Sequence, residues 1–217
     1  SDLFDCRYDV PAKCAAMLHD KSVDLSLIPS IEYLGHPDYR IVPDIGVTSS
    51  GPVASVALFT DRPATALRSV AVDVSSRTAV ALLRVLCAQW FDIGPKFVTL
   101  PPDLPSMLKR CDAALLIGDT ALLTEYESEG LDKVDLGEEW TAMTGLPFVW
   151  ALWAGRANAL GTDDVRALQA ARDAGVSALD AIANDYYPND EDKAERARDY
   201  LHGNVGYALD EQARNGL

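Results

Sequence analysis

The sequence predicts an α/β protein of two lobes, and three observations carry this prediction. Two long apolar runs, VASVALF at 53–59 and LPFVWALWA at 146–154, are typical of buried strands. Between them, strand-like runs alternate with helix-like runs, which indicates a sheet covered by helices. After residue 155 the sequence becomes helical. The middle of the chain is therefore expected to form one lobe and its two ends the other.

The middle lobe is predicted to be a parallel sheet with helices on both faces, because its strands and helices alternate at the spacing of such folds. Its elements are, in order, a strand at 69–74, a helix from Arg77 to Gln89, a strand at 96–100, a short helix at 102–110, a strand at 112–118 and a strand at 134–137.

The other lobe begins with a helix over PAKCAAMLHD (11–20) and a strand over VDLSLIPS (23–30). Helical segments follow residue 155, and Thr162 is expected to cap the first of them. We expect residues 1–55 and 150–217 to form this discontinuous lobe and residues 56–149 the second, with the two long apolar strands crossing between them. That is the topology of a type II periplasmic-binding-protein fold, with a ligand cleft between the lobes.

Composition excludes several classes of partner and cofactor. The net charge of −14 argues against nucleic acid, whose phosphates such a surface would repel. No apolar tract is long enough to cross a membrane, and the N-terminal residues lack the pattern of a secretion signal, so a cytoplasmic location is expected. The histidines and cysteines show no metal-ligand spacing, and we expect no metal.

Small polar residues follow three predicted strands, where ligands usually bind in an α/β sheet. They are Ser30, the run Ser75, Ser76, Arg77 and Thr78, and the pair Gly118 and Asp119. Short hydroxyls, a guanidinium and the N–H groups of helix starts suit a carboxylate or phosphate. The alternatives are an ordinary helix cap at 75–78, another cap at 118–119, and a plain strand end at residue 30.

The segment SSGPVASVALF (49–59) differs from these strand ends. Gly51 allows a close backbone approach to a ligand, and Ser55 places a hydroxyl inside an apolar strand. A buried hydroxyl needs a partner, which is either a ligand or neighbouring backbone.

Five segments carry a resemblance to a known family. In chain order, VDLSLIPSIEYL, GPVASVALF, DVSSRTAVALLRVL, PPDLPSMLKRCDAALLIGDTAL and DLGEEWTAMTGLPFVWALWAG resemble the chorismate dehydratases of the futalosine route to menaquinone. The resemblance implies a cytoplasmic hydro-lyase without metal or organic cofactor. It would convert chorismate to 3-[(1-carboxyvinyl)oxy]benzoate and water, with Ser55 at the reacting centre and Ser76, Arg77 and Thr78 holding a carboxylate.

The family also has an N-terminal strand with an active-site asparagine, which SDLFDCRYDVPAKC does not supply. Either this sequence begins after that strand, or the chain lacks part of the site. We expect the first, because loss of an inner strand would leave sheet edges unpaired.

No histidine or glutamate at the motif positions is an obvious base, although Asp119 is a candidate. The hypothesis is that the protein orients chorismate in a water-poor cleft while a carboxylate of the substrate takes the proton. The alternatives are an enzyme similar to 1,4-dihydroxy-6-naphthoate synthase and a non-catalytic module that binds a small anion. A monomer or a homodimer is expected.

Overall fold

The computed structural model describes residues 4–73 and 75–217, and the strands form two separate sheets. The strands are β1 (Leu25–Pro29), β2 (Tyr39–Ser49), β3 (Val56–Thr60), β4 (Ser69–Val72), β5 (Lys96–Thr99), β6 (Ala113–Ile117), β7 (Asp132–Asp135) and β8 (Phe148–Arg156). The α-helices are α1 (Pro11–His19), α2 (Ser30–Tyr33), α3 (Arg77–Gln89), α4 (Leu104–Leu108), α5 (Gly118–Leu123), α6 (Leu136–Thr144), α7 (Thr162–Val176), α8 (Leu179–Tyr186), α9 (Glu191–Gly203) and α10 (Glu211–Asn215).

The first sheet combines strands from both ends of the chain. Its order is β1-β8-β2, and both pairings are antiparallel. Leu18 of α1, Ile28 of β1, Leu152 of β8 and Leu209 before α10 are almost completely buried in one cluster. This burial holds the N- and C-terminal segments in the same lobe.

The second sheet is mixed, so the prediction of a parallel sheet is wrong. Its order is β5-β4-β6-β3-β7. Strand β4 pairs in parallel with β5 and β6, whereas β3 pairs antiparallel with β6 and β7. The reversal arises because β3 enters from the first sheet, so that its first residue, Val56, lies opposite Ile117, the last residue of β6. The start of β3 and the ends of β4 and β6 consequently share one edge.

The chain crosses between the sheets in two short segments, at residues 50–55 and 145–147. The long apolar runs are therefore not themselves shared between lobes: β3 belongs to the second sheet and β8 to the first. Phe148 and Trp150 nevertheless pack in one apolar cluster with Val53 and Val56, so a common core supports the crossovers. The lobe boundaries, 1–55 with 150–217 and 56–149, stay a prediction.

Two local predictions also need correction, and one strand was missed. The strand predicted at 134–137 ends at Asp135, because the Asp135 carboxylate caps α6 from there. Thr162 is the first residue of α7 and not its cap, and the Gly161 N–H instead donates to Asp164 at 2.8 Å. Strand β2 was not predicted, since a register shift between Ile41 and Gly46 interrupts its pattern.

The predicted strand at 69–74 is observed over Ser69–Val72, and Val74 lies outside the described residues. Helix α3 has the predicted bounds. Within the described part of the chain, no helix is both long enough and apolar enough to cross a membrane.

Candidate functional site

The candidate site lies at the edge of the second sheet where β3 begins and β4 and β6 end. The Gly118 N–H donates to the Ser55 carbonyl at 2.8 Å, which ties the start of α5 to the start of β3. Strand β6 lies between β4 and β3, so Ser55 and the start of α3 are separated by two strand spacings, roughly 10 Å. This edge brings most of the predicted site residues to one side of the lobe.

Ser76 precedes α3, but its hydroxyl does not cap the helix. The residue is only 3% exposed, and Oγ has no hydrogen-bond partner among the described residues. The first helical N–H bond runs from Val80 to the Ser76 carbonyl at 2.9 Å, so the amides of 77–79 precede the helical ladder. The alternative of an ordinary side-chain cap is therefore wrong, and the helix start offers a buried hydroxyl beside several N–H donors.

The neighbours of Ser76 have partners. The Ser75 hydroxyl bonds to the Asp73 carboxylate, and Thr78 Oγ1 accepts the Ile31 N–H at 3.5 Å. Ser30, the first residue of α2, is 6% exposed and adjoins this contact. The starts of α2 and α3, one from each lobe, therefore face each other.

Arg77 is bound across the lobes by a polar network. Its Nη1 donates to Glu32 Oε1 at 2.8 Å, and Glu32 Oε2 lies 2.9 Å from His19 Nε2. His19 Nδ1 in turn lies 2.8 Å from the Tyr39 hydroxyl. Burial acts to raise the pKa of Glu32, but the hydrogen bonds from Arg77 and His19 outweigh it, and the pKa lies below its ordinary value of 4.5. A guanidinium has five N–H donors, so this ion pair does not exhaust Arg77.

Two charged side chains of β7, Lys133 and Asp135, hold the turn before Ser55. Ala54 has a φ of 61°, in the left-handed region that a residue with a Cβ rarely adopts. Its N–H donates to Asp135 Oδ2 at 2.6 Å, and its carbonyl accepts from Lys133 Nζ at 2.6 Å. Burial lowers the pKa of Lys133, partly offset by the charge of Asp135. Both polar groups of Ala54 are thus occupied, and the turn that presents Ser55 is defined by them.

Ser55 itself is 6% exposed, and its hydroxyl shares a hydrogen bond with the Tyr200 hydroxyl, 3.0 Å away. Sequence reasoning did not identify Tyr200, which lies on α9. The available signal was helical spacing, because Ala194, Ala197 and Tyr200 follow one another at three-residue intervals and the two alanines are buried. The alternative of a hydroxyl satisfied by backbone is wrong for Ser55.

Three other predicted residues have different surroundings. Asp119 does not cap α5, and its Oδ2 accepts from the hydroxyls of Tyr186 at 3.3 Å and Tyr187 at 3.2 Å. Gly118 has a φ of 62°, and a Cβ built on it would meet no atom within 4 Å. Gly51 has a φ of 87° and donates its N–H to Thr141 of α6 at 2.9 Å, which places it at a crossover. Ligand contact by these three residues stays a prediction.

A cavity of about 330 Å³ lies between residues 122–127 and α9. Tyr200 borders it together with Arg196 and Asn204. Its size is within the range of small-molecule sites, roughly 300–1,000 Å³. The Tyr200 ring therefore connects Ser55 to open space between the lobes. Across residues 4–73 and 75–217, no three His, Cys, Asp or Glu side chains form a group that could hold a metal ion.

The chain is similar to proteins of one known family over almost its whole length. A family model described as menaquinone biosynthesis matches residues 2–217. A chorismate dehydratase from Thermus thermophilus is 33% identical, in an alignment that covers 99% of this chain and 84% of that protein.

Two solved structures are similar in fold. A protein from Archaeoglobus fulgidus has a TM-score of 0.71 at 21% identity, covering 96% of this chain and 80% of that one. The alkanesulfonate-binding protein SsuA from Xanthomonas axonopodis has a TM-score of 0.60 at 15% identity, with 93% and 74% covered. The predicted two-lobed binding-protein fold is confirmed.

Proposed function

Because the chain belongs to the menaquinone biosynthesis family, we propose that it is a chorismate dehydratase, a hydro-lyase that forms 3-[(1-carboxyvinyl)oxy]benzoate and water. The single observation that carries this proposal on the molecule itself is the buried Ser76 hydroxyl at the start of α3, which has no hydrogen-bond partner in the part of the chain that the structure describes. A buried hydroxyl without a partner costs free energy, and an anion at this helix start would satisfy it.

The proposed carboxylate cradle consists of the Ser76 hydroxyl and the first N–H groups of α3. The positive end of the helix dipole adds a favourable interaction with a negative charge. Arg77 adds a positive charge beside the cradle, and its ion pair with Glu32 fixes the guanidinium there. Ser75 and Thr78 support the turn through Asp73 and Ile31, and Ser30 lies beside them from the other lobe.

The chemistry explains why binding a carboxylate assists the reaction. Chorismate has a carboxylate on C1, an enolpyruvyl ether on C3 and a hydroxyl on C4, and loss of the C3 proton and the C4 hydroxide leaves an aromatic ring. When the proton departs, the double bond between C1 and C2 passes negative charge to the ring carboxylate. Donors that bind this carboxylate therefore stabilise charge that develops in the transition state.

Ser55 is proposed to act at the C4 hydroxyl. The ring carboxylate and the C4 hydroxyl are para to each other. The start of α3 and Ser55 are separated by two strand spacings, with Gly118 between them, so a ring can contact both through its two ends. The Ser55 hydroxyl would donate a hydrogen bond to the departing oxygen and keep its proton. The enolpyruvyl carboxylate of the substrate would take the C3 proton and then pass it to the departing hydroxide, which forms one water and restores the carboxylate. Asp119 is not proposed as the base, because it is exposed and accepts two tyrosine hydroxyls.

The proposal includes no metal or organic cofactor, because the elimination moves only a proton and a hydroxide. A cytoplasmic location and a small dicarboxylate as the sole substrate belong to it as well. A monomer or a homodimer is expected.

Incubation of the purified protein with chorismate, followed by chromatography and mass spectrometry, tests the proposal. We expect a product lighter by one water, with an aromatic ultraviolet spectrum. Chorismate that is bound but not converted would instead identify a small-anion binding module. Failure to bind or convert chorismate, with turnover of a later menaquinone precursor, would favour the 1,4-dihydroxy-6-naphthoate synthase-like alternative.

A further inference from the structure

We infer that Tyr200 is a positioning residue, which orients the Ser55 hydroxyl to donate a hydrogen bond to the departing oxygen of the substrate. This inference rests on the proposed dehydratase function and deepens it. Its basis is one contact between segments that are distant in the chain: the hydroxyls of Ser55 and Tyr200 lie 3.0 Å apart, and Ser55 directly precedes β3 while Tyr200 lies on α9.

The two hydroxyls differ in their capacity as donors. In this structure the Ser55 hydroxyl donates to the Tyr200 oxygen, and because a phenol is a stronger donor than an aliphatic alcohol, the pair reverses when a substrate oxygen accepts a hydrogen bond from Ser55. The Ser55 proton is then directed away from Tyr200 and is available for a second hydrogen bond. Burial raises the pKa of Tyr200, and the charge of Asp119 raises it further, whereas the hydrogen bond with Ser55 lowers it. The net direction is upward, so the phenol keeps its proton at neutral pH.

The hydroxyl of Tyr200 is not needed to hold α9 in place. Arg196 pairs with Glu125 at 2.5 Å, and Asn204 Nδ2 donates to the Pro52 carbonyl at 2.9 Å, one contact on each side of Tyr200. The first contact joins α9 to the second lobe, and the second joins the residue that directly follows α9 to the crossover. Removal of the phenol oxygen should therefore leave the docking of α9 intact and change only the state of Ser55.

This arrangement gives the Ser55 proton a fixed direction. Ser55 ends the crossover at residues 50–55 and Tyr200 lies on α9, so the hydrogen bond between them joins two segments that are distant in the chain. Without the phenol oxygen the Ser55 hydroxyl would be free to rotate, and its proton would have no fixed direction.

The test compares Tyr200→Phe with Tyr207→Phe. Tyr207 donates its hydroxyl to the Leu201 carbonyl at 3.0 Å, so the control removes a part-buried phenol oxygen near α9 without touching Ser55. For Tyr200→Phe we expect kcat for chorismate to fall about tenfold or more, with KM changed less than about threefold. Tyr207→Phe should keep kcat within about twofold of the wild type.

A double-mutant cycle with Ser55→Ala separates positioning from a general structural role. If Tyr200 acts through Ser55, adding Tyr200→Phe to Ser55→Ala should produce little further loss, measured in single turnovers at high protein concentration. Additive losses, an unchanged kcat in Tyr200→Phe, or an equal loss in Tyr207→Phe would each overturn the inference. If the wild type itself does not dehydrate chorismate, the proposed function fails first, and that result is distinct from an active wild type with an unaffected Tyr200→Phe.

Discussion

The Asp135 carboxylate lies 2.6 Å from the backbone nitrogen of Ala54, the residue whose left-handed conformation turns the chain into Ser55. The same carboxylate accepts N–H groups from Val53 at 3.0 Å and from Gly137 at 2.9 Å in the first turn of α6. One buried side chain therefore begins a helix and holds a strained turn in another segment.

Replacement of Asp135 by Asn should destabilise the protein, because the amide has one acceptor oxygen and presents an NH₂ group to backbone donors. We expect a loss of about 2–3 kcal/mol in the free energy of unfolding, measured in urea, together with a lower kcat. Asp190→Asn is the matched control, since Asp190 caps α9 at an exposed position by accepting the Lys193 N–H at 3.1 Å. Its cost should be about 1 kcal/mol or less. Equal losses in both variants would contradict a special role for Asp135.

Ser76→Ala should weaken substrate binding without destabilising the protein. The Ser76 hydroxyl has no described partner, so its removal costs the folded state nothing and relieves an unsatisfied group. We expect the free energy of unfolding to stay within about 0.5 kcal/mol of the wild type or to rise. KM for chorismate should increase about tenfold, the effect of one hydrogen bond to a charged group.

Ser69→Ala provides the reverse pattern. The Ser69 hydroxyl donates to Asp112 at 3.2 Å and accepts the Asp112 N–H at 3.0 Å, at the opposite end of β4 from the candidate site. This variant should lose about 1 kcal/mol of stability and keep its KM. Loss of stability in Ser76→Ala, with unchanged KM, would show that the hydroxyl serves the fold.

Gly118→Ala should impair chorismate binding beyond its effect on stability. A residue with a Cβ at a φ of 62° costs about 1 kcal/mol, and the added methyl would project into open space at the site. Gly130 has a φ of 68° and equally free surroundings, so Gly130→Ala should show the same stability loss in thermal denaturation. Only Gly118→Ala should raise KM, by about tenfold, the effect of an overpacked site. If KM rose equally in both variants, backbone strain alone would explain the effect.

The ion pair between Arg77 and Glu32 predicts a pH-dependent stability. Folding favours the Glu32 carboxylate, so its contribution is complete above pH 4.5 and is lost as the pH falls through the lower folded-state pKa. Glu32→Gln should be less stable than the wild type by about 1 kcal/mol at pH 7, and the difference should shrink well below pH 4.5. Urea denaturation of both proteins at several pH values measures this difference in the free energy of unfolding. Glu129→Gln removes an exposed carboxylate that forms no ion pair within the described residues, and should show no such trend.

The sequence by itself determined the strands of the second sheet, helix α3 and the family. Helix α3 has the bounds that its apolar spacing predicts. Leu82, Leu83 and Leu86 lie on one face of a helix and are buried together in the core. The polar run before this helix predicts an anion site, since short hydroxyls and helix N–H groups are local properties of the chain, and this site stays a prediction. The motif order likewise identified the family.

Only the tertiary structure decided how these parts act together. Whether Ser76 caps its helix or remains unpartnered depends on a side-chain orientation, and the direction of β3 depends on where the chain enters the second lobe. The contacts of Ser55 with Tyr200, and of Ala54 with Asp135, join residues 145 and 81 positions apart. Local spacing carries no information about such pairs, because two sheets and their crossovers must pack before these side chains meet.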